Sequence, residues 1–207
     1  MYQPPAFRES DTDSIRALIA EFPLATLVGT GTGGELVADH VPLLLDRSRG
    51  ERGALVGHVA RANPLWRRPG PVLAVFTGPD AYVSPAWYPS KQADPQVVPT
   101  WNYAVVHAHG TLRAIDDPGT VLGIVGALTR HHETDRVQRA GGEPWRVEDA
   151  PDEYVQRMLR AIVGIEIEIS RIDAKSKLSQ NRSVEDRAGV VAGLRGVGTG
   201  ALADRMR

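Results

Sequence analysis

The sequence predicts an α+β protein that is mainly β, in which an antiparallel β-barrel carries peripheral helices. Six to eight segments have the alternating or apolar pattern of short β-strands. Turns connect most of them, and the few helical segments lie at the start of the chain, after the longest strand and near the end. A doubly wound parallel sheet is disfavoured, because its strands would alternate regularly with helices. Many short strands joined by turns are typical of an antiparallel barrel.

The composition is that of an ordinary globular protein. Its 207 residues fit one domain of above-average size, with 42% hydrophobic and 24% charged residues. The formal net charge of −1 gives no overall attraction to nucleic acid or anionic membranes. The sequence contains no cysteine, which excludes disulfides, thiolate metal sites and cysteine nucleophiles. Residues 1–5 lack a signal-peptide pattern and no apolar run approaches about 18 residues, so we expect a cytoplasmic protein without membrane association.

The first half of the chain contains one predicted helix and five predicted strands. Ser10 and Asp11 precede apolar residues at helical spacing, and Pro23 follows the last of them. Strands are predicted at residues 24–28, 36–45, 53–59, 71–76 and 82–84. The glycine-rich residues 29–34 lie between two strands, so they predict a hairpin turn and not a nucleotide-binding loop.

Residues 85–100 carry four of the chain's 15 prolines. This density disfavours any regular helix or strand. The segment is therefore a long ordered loop or a mobile lid, and long loops in compact domains are often functional.

The second half begins with the longest predicted strand. Residues 103–115 have small or apolar side chains at the even positions and polar ones at most odd positions, which predicts one core face. A helix opens at Pro118, and a polar loop then runs to about residue 150. A second helix is predicted over residues 154–162, and a half-buried strand begins at Val163.

The chain is expected to close with a helix capped by Ser183 and with a loose glycine-rich end after Gly196. We therefore predict two parts. Residues 1–182 would form a barrel domain with helical insertions, and residues 183–207 would form a C-terminal helix and a loose tail.

Several short motifs occur in a characteristic order along the chain. They are FPLAT at 22–26, HVARANP at 58–64, AYVSP at 81–85, VPTWNY at 98–103, GIEI at 164–167 and KLSQNR at 177–182. With their neighbours they cover most of the chain except its tail. Together they resemble the PaiB family of FMN-binding negative transcriptional regulators.

This resemblance implies a split β-barrel related to pyridoxamine-phosphate-oxidase-like proteins, with FMN as cofactor. It also implies a homodimer in which the flavin binds where the two subunits meet. The family's regulatory name comes without an evident DNA-binding module, and this sequence shows none either. One departure is Ser176, which stands where a tryptophan is expected between two lysines, and this puts the contact made there in doubt.

Two other functions stay open at the level of the sequence. The first is a flavin-dependent oxidoreductase that uses FMN or a deazaflavin on an unknown small molecule, with residues 85–100 as its lid. The second is a direct DNA-binding repressor that uses the basic segments 61–68 and 171–187. Both segments have acids nearby or overlap with flavin candidates, and no helix-turn-helix pattern stands out, so direct nucleic-acid binding is doubtful.

Arg61 to Pro64 form the first candidate phosphate site. The FMN phosphate needs cations and convergent N–H donors. Arg61 supplies a cation, Asn63 is a good helix N-cap and Pro64 suits the first helical position. The alternative is a capped surface helix with a solvated arginine, and the family resemblance favours the phosphate site.

Residues 177–182 form the second candidate site. Its predicted cofactor-binding members are Lys177, Ser179, Gln180, Asn181 and Arg182. Two cations and three hydrogen-bonding side chains can hold a phosphate, the ribityl hydroxyls or the flavin pyrimidine edge. A cation near that edge would stabilise charge on the reduced flavin. The alternative is an exposed turn with solvated charges.

Aromatic and histidine side chains complete the prediction. Trp101 can pack on the isoalloxazine and Asn102 can bond its polar edge, although a structural aromatic cluster would explain both. His40 and His58 are candidates for a polar site lining. His107 and His109 share one strand face and are candidate metal or haem ligands, but hydrogen-bonded histidines are favoured because no third ligand is identifiable. We predict no metal site.

Overall fold

The computed structural model describes residues 1–206. The strands are β1 Arg8–Glu9, β2 Leu24–Thr30, β3 Leu36–Pro42, β4 Leu44–Asp46, β5 Ala54–Ala60, β6 Gly70–Val83, β7 Thr100–Ile115 and β8 Ile162–Lys177. The helices are α1 Thr12–Glu21, α2 Pro118–Ala140, α3 Asp152–Arg160, α4 Val184–Gly196 and α5 Gly200–Asp204. Short 3-10 turns lie at Pro5–Phe7, Pro64–Arg67, Pro85–Trp87, Pro89–Gln92 and Val147–Asp149. Among residues 1–206, every helix falls short of the length and apolarity needed to cross a bilayer.

All eight strands belong to one sheet. Its order is β3-β2-β6-β7-β8-β5-β4, and β1 pairs with β8 off this path. The pairs β1–β8, β2–β3, β2–β6, β4–β5 and β5–β8 are antiparallel. Thr30 lies opposite Leu36, so the glycine-rich segment between them is the hairpin turn that the sequence predicts.

The chain divides into two compact units. The first unit contains residues 1–21, 77–107 and 173–207, and the second contains residues 22–76 and 108–172. The first unit has an apolar cluster formed by Ala81, Val83, Tyr88, Leu178, Val190, Leu194, Leu202, Ala203 and Met206. The second has a smaller cluster formed by Val56, Ile124 and Leu128, against which Leu44 and Ile115 pack.

The two longest strands follow the predicted alternation. Along β7 the even positions from Asn102 to Leu112 are buried, while the positions between them are partly or fully exposed. Along β8 the odd positions from Val163 to Ile169 are buried. Side chains of a strand point alternately to its two faces, so a period of two in the sequence becomes one core face.

The structure differs from the prediction in two elements. β6 is one strand of 14 residues and joins segments that the sequence suggests as two strands. α2 continues to Ala140, through residues predicted as a polar loop. The second half of α2 lacks an apolar stripe and instead has ion pairs along its surface, Arg136 with Glu133 and Arg139 with Asp135. Such pairs, three and four residues apart, support a helix without burying it.

The C-terminal end also differs from the prediction of a loose tail. Residues Gly200–Asp204 form a short helix, and Leu202 and Ala203 are fully buried in the first unit. The glycines that predicted a loose end therefore lie next in the chain to two buried apolar residues, Leu202 and Ala203. The predicted boundary between residues 182 and 183 stays a prediction.

The proline-rich segment is held on α4. A Cβ at Gly189 would lie 2.1 Å from the carbonyl oxygen of Trp87, and one at Gly193 would lie 2.2 Å from the Trp87 ring. Ser90 donates its backbone N–H and its hydroxyl to the buried carboxylate of Asp186, at 3.0 and 2.8 Å. These contacts hold the first part of the segment, through Trp87 and Ser90, while residues 91–96 are exposed. The choice between an ordered loop and a mobile lid stays a prediction.

We predict that Gly189→Ala destabilises the protein. The added methyl group has no space against Trp87, and overpacking costs about 1–3 kcal/mol, more than the gain of about 1 kcal/mol from replacing glycine by alanine in a helix. Urea denaturation followed by circular dichroism measures the difference. Gly196→Ala is the matched control, because nothing lies within 4 Å of a Cβ there. A Gly189→Ala variant as stable as the control would contradict this packing.

Candidate functional site

Two lysines at the end of β8 form a cationic cluster in the first unit. Lys177 donates from Nζ to the hydroxyl of Thr100. Lys175 is buried, and its Nζ lies 5.3 Å from the centre of the Tyr103 ring and 5.7 Å from that of Tyr2. The two lysines are two residues apart on one strand and therefore share a face. We call these five residues the lysine cluster.

The lysine cluster has no carboxylate against it. Among residues 1–206, the ion pairs include none to Lys175 or Lys177. Burial lowers the pKa of Lys177 from its ordinary value, Tyr103 opposes this shift and the positive charge of Lys175 adds to it. A partly buried cation beside a second cation is unfavourable unless an anion neutralises it. The cluster can therefore accept an anionic group.

The structure brings two predicted site residues, Asn102 and Ser179, into contact. Asn102 is fully buried, and its amide nitrogen donates to the Ser179 hydroxyl at 2.9 Å. Ser179 has a φ of 61°. Among residues 1–206, it is the only residue other than glycine with a positive φ. This left-handed conformation is unfavourable for serine and is found often at functional sites. The hydrogen bond holds the turn that follows Lys177 in this conformation.

The remaining residues of the 177–182 turn have different roles. The Gln180 side chain accepts from the backbone N–H of Leu178 at 2.7 Å and donates to the carbonyl of Ser176, so it shapes the turn. The Arg182 guanidinium lies 4.6 Å over the Tyr88 ring. Asn181 is exposed. The Gln180 side chain is thus engaged within the turn, whereas Asn181 is open to solvent, and the ligand contacts of residues 177–182 stay a prediction.

Trp101 forms an exposed aromatic pair with Tyr82 of β6. Their ring centres are 6.3 Å apart with an angle of 74° between the planes, an edge-to-face contact. The two residues are 54% and 47% exposed. Large apolar rings that stay open to solvent on a sheet face are suited to cover a planar ligand or a partner subunit.

Arg61 lies in the second unit and is already engaged within the chain. It donates to both oxygens of Asp116 and to the carbonyls of Arg160 and Ile162, which uses four of its five N–H groups. The hydrogen bond between them raises the pKa of Arg61 and lowers that of Asp116. Both residues line a cavity of about 250 Å³ beside α2 and α3. Asp116 thus neutralises the guanidinium of Arg61, the cation that the sequence predicts as a phosphate ligand.

Asn63 caps a short 3-10 turn, as predicted. It accepts from the backbone N–H of Leu65 at 2.8 Å and donates to Asp39 at 2.8 Å. The turn spans only Pro64–Arg67, and the proline has no N–H. Fewer free backbone donors are therefore present here than at the start of a full α-helix.

His58 is half-buried on β5, opposite Gly164. Its Nδ1 is buried and has no hydrogen-bond partner among residues 1–206. Burial lowers the pKa of the ring, because it penalises the charged form. His58 is therefore neutral in the native protein near neutral pH.

The strand histidines do not form part of a metal cluster in the described chain. Residues 1–206 contain no group of three or more side chains of the types His, Cys, Asp and Glu that could hold a metal ion. The ring nitrogen Nε2 of His109 lies 2.9 Å from the Arg171 guanidinium, a hydrogen-bonded contact like those the sequence favours.

Arg61 and the 177–182 turn belong to different compact units, so their convergence on one phosphate stays a prediction. The predicted site residues do not include Lys175, Tyr103 or Asp116. Lys175 has a recognisable signal, since it lies two residues from Lys177 on a strand. Asp116 has none, because its contact with Arg61 spans 55 residues.

Residues 1–171 match the family model described as "Putative FMN-binding domain". The chain belongs to this FMN-binding domain family. The predicted cofactor class, FMN, is confirmed at the level of this family, as is the resemblance to PaiB. The chain is 29% identical to the protease synthase and sporulation protein PAI 2 of Bacillus subtilis, over 92% of this chain and 87% of that protein. It is 31% identical to an uncharacterized protein of Aspergillus fumigatus, over 96% and 92% of the two chains.

Solved structures support the fold of this FMN-binding domain family member. The structure named as the FAD and heme binding protein from Mycobacterium smegmatis superposes with a TM-score of 0.57 at 18% identity, covering 87% of this chain and 78% of that chain. The likeness, together with the antiparallel sheet, confirms the predicted split β-barrel with peripheral helices.

We predict that His58 makes the stability of the protein depend on acid pH. The folded pKa lies below the unfolded value of about 6.5, so the unfolded state binds the proton first and stability falls as the pH drops below about 6.5. Urea denaturation at pH 7.5 and pH 5.5 should show a smaller loss for His58→Gln than for the wild type. His40→Gln, at an exposed position, is the control and should keep the full loss. Equal losses in all three proteins would argue against this origin.

Proposed function

We propose that this chain is a flavoprotein whose lysine cluster receives a negatively charged part of FMN. One observation carries the proposal: Lys175 and Lys177 lie together without an ion pair to any carboxylate of residues 1–206, and Lys177 is partly buried. The FMN phosphate has close to two negative charges at neutral pH. Charge-assisted hydrogen bonds to such a group are among the strongest that a protein makes. Alternatively, Lys177 faces the pyrimidine edge and stabilises the reduced flavin.

The neighbouring residues would complete the flavin site in the first unit. The exposed ring of Trp101 offers a surface for the isoalloxazine. The exposed Asn181 would supply hydrogen bonds to ribityl or phosphate oxygens, while Ser179 is buried and bonded to Asn102, so it would fix the turn. Asn102 is fully buried, so it would act through Ser179 by fixing the turn, and not by contact with the cofactor.

The contribution of Arg61, Asn63 and His58 is a second part of the proposal. Arg61 has one N–H outside its four internal bonds, and Asp116 offsets its charge. Its direct share in phosphate binding would therefore be smaller than that of Lys177. Asn63 would hold the segment through its cap and its bond to Asp39.

We further propose a homodimer with the flavin at the subunit interface. The exposed Trp101–Tyr82 pair supports this arrangement, because large aromatic rings are enriched in interface cores. A second subunit that covered this pair would also remove water from the flavin.

A regulatory output in response to the flavin is the function that the chain supports best. The relative from Bacillus subtilis is named a protease synthase and sporulation protein, and this name supports the proposal of a regulatory output. Much of the charge in the basic segments is already engaged, since Arg61 pairs with Asp116, Arg67 lies over Trp66 and Arg187 donates to the Met206 carbonyl. Lys175 and Lys177 of the second segment are the proposed ligands of the FMN anion, so they would be unavailable to DNA while FMN is bound. The bonds of Ser90 to Asp186 hold the first part of the proline-rich segment in place.

Replacing Lys177 should weaken FMN binding. Lys177→Met loses a charge-assisted hydrogen bond worth about 1–3 kcal/mol, so the Kd should rise by about tenfold to a hundredfold. Quenching of FMN fluorescence during titration of the apoprotein measures the Kd. Lys91→Met, at an exposed loop lysine, is the control and should bind like the wild type. Arg61→Ala should cause a smaller loss than Lys177→Met. If the Lys177 variant binds FMN unchanged, the anion lies elsewhere.

Two assays on the FMN-loaded protein separate the candidate outputs. If the protein is a regulator without an enzymatic cycle, it should not oxidise NADH or NADPH over multiple turnovers. The absorbance of the reduced nicotinamide measures this oxidation. Steady turnover would instead establish the oxidoreductase.

A gel shift at physiological salt with nonspecific competitor should show no retained DNA complex, because nonspecific binding is lost under these conditions. A complex that survives the competitor would establish a direct repressor.

A further inference from the structure

A cleft lies between α2 and the residues 144–148 of the second unit. Its volume is about 410 Å³, within the range of small-molecule sites. Arg130 and Thr134 line it from α2, and Trp145 and Arg146 line it from the opposite segment. None of these residues belongs to the flavin site proposed above, so the cleft needs its own explanation.

Hydrogen bonds fix the two walls of the cleft against each other. The Arg136 guanidinium donates to the Glu133 carboxylate at 2.8 and 2.9 Å and to the carbonyls of Gly141 and Glu143. The backbone N–H of Trp145 donates to the same Glu133 carboxylate at 2.8 Å. These contacts tie the loop after α2 to the helix. The cleft is therefore formed before any ligand enters, which reduces the ordering cost of binding.

The charges inside the cleft favour a single negative charge. Arg136 balances Glu133. Among residues 1–206, the ion pairs include none to Arg130 or Arg146. One further carboxylate, that of Glu148, lines the cleft. Two guanidinium groups thus face one carboxylate, and the excess is one positive charge. A monoanion neutralises it, whereas a doubly charged phosphate would exceed it.

Gly126 makes room for the Arg130 head group. A Cβ at Gly126 would lie 3.2 Å from Nη1 of Arg130, so the guanidinium lies back along the helix over the glycine. Gly126 itself lines the cleft and is buried. Arginine binds carboxylates through two parallel hydrogen bonds when its planar group is held in place. The missing side chain at position 126 provides that place.

Trp145 supplies an apolar surface beside the two arginines. It is 49% exposed, and it lines the cleft together with Pro144 and the buried Val147. A planar aromatic ligand can stack on an exposed indole ring of this kind. We propose that the cleft binds a small aromatic carboxylate, with the carboxylate between Arg130 and Arg146 and the ring against Trp145, as a second ligand in addition to FMN.

Isothermal titration calorimetry of the FMN-saturated full chain tests this proposal, with sodium benzoate as the probe. Benzoate should bind saturably at one site per chain. Benzamide, which has the same ring without the charge, should bind at least tenfold more weakly, and inorganic phosphate should bind more weakly than benzoate. No saturable binding of benzoate, equal binding of benzamide, or tighter binding of phosphate would each overturn the proposed ligand class.

Variants locate the binding within the cleft. Arg130→Gln and Arg146→Gln should each raise the benzoate Kd at least tenfold, while Arg139→Gln, on the same helix and paired with Asp135, should not change it. Gly126→Ala should weaken benzoate binding several-fold without lowering the melting temperature, because alanine favours the helix. Unchanged benzoate affinity in both arginine variants would refute the site. A parallel loss of FMN affinity in those variants would refute a second ligand.

Discussion

At the end of β8 lie two ammonium groups that have no carboxylate partner in the described part of the chain, residues 1–206, and the proposed chemistry of the molecule depends on them. Burying a cation is costly unless it gains hydrogen bonds or a countercharge. The rings of Tyr2 and Tyr103 offset part of this cost for Lys175, and the Thr100 hydroxyl does so for Lys177. The remaining cost of burying the two positive charges would be offset by a bound anion, and FMN carries negative charge on its phosphate.

The surrounding elements keep this arrangement in place. β8 is 16 residues long, and its first half pairs with β5 while β1 lies against its end. The chain then turns through Ser179, whose left-handed conformation is stabilised by the buried Asn102. Such strained positions persist only where the surroundings hold them. The turn is thereby set at a fixed place next to Lys177.

Arg61 shows why the number of charges in a motif does not predict their function. Its guanidinium has the same formal charge as the lysines, but Asp116 and two carbonyl oxygens already satisfy most of it. The cleft between α2 and residues 144–148 contains both situations. Arg136 is paired with Glu133, as Arg61 is with Asp116, whereas Arg130 and Arg146 line the cleft and are the cations proposed to bind a ligand. A cation is available to a ligand when the fold gives it no carboxylate of its own.

The sequence by itself determined the strands, the turns and the caps. The alternation in β7 and β8, the hairpin after β2 and the caps of Asn63 and Ser183 all follow from neighbours within a few residues, where periodicity and side-chain chemistry act directly. The family resemblance added the cofactor class and the split form of the barrel.

Only the tertiary structure decided which polar groups remain available. Three contacts join residues that are distant in the sequence. Arg61 and Asp116 are 55 positions apart, Trp87 and Gly189 are 102 apart, and Asn102 and Ser179 are 77 apart. The helical course of α2 through a polar stretch depends on ion pairs rather than on an apolar stripe. No local pattern encodes such contacts, because the free energy of a charge or a hydroxyl is set by the partner that folding brings to it.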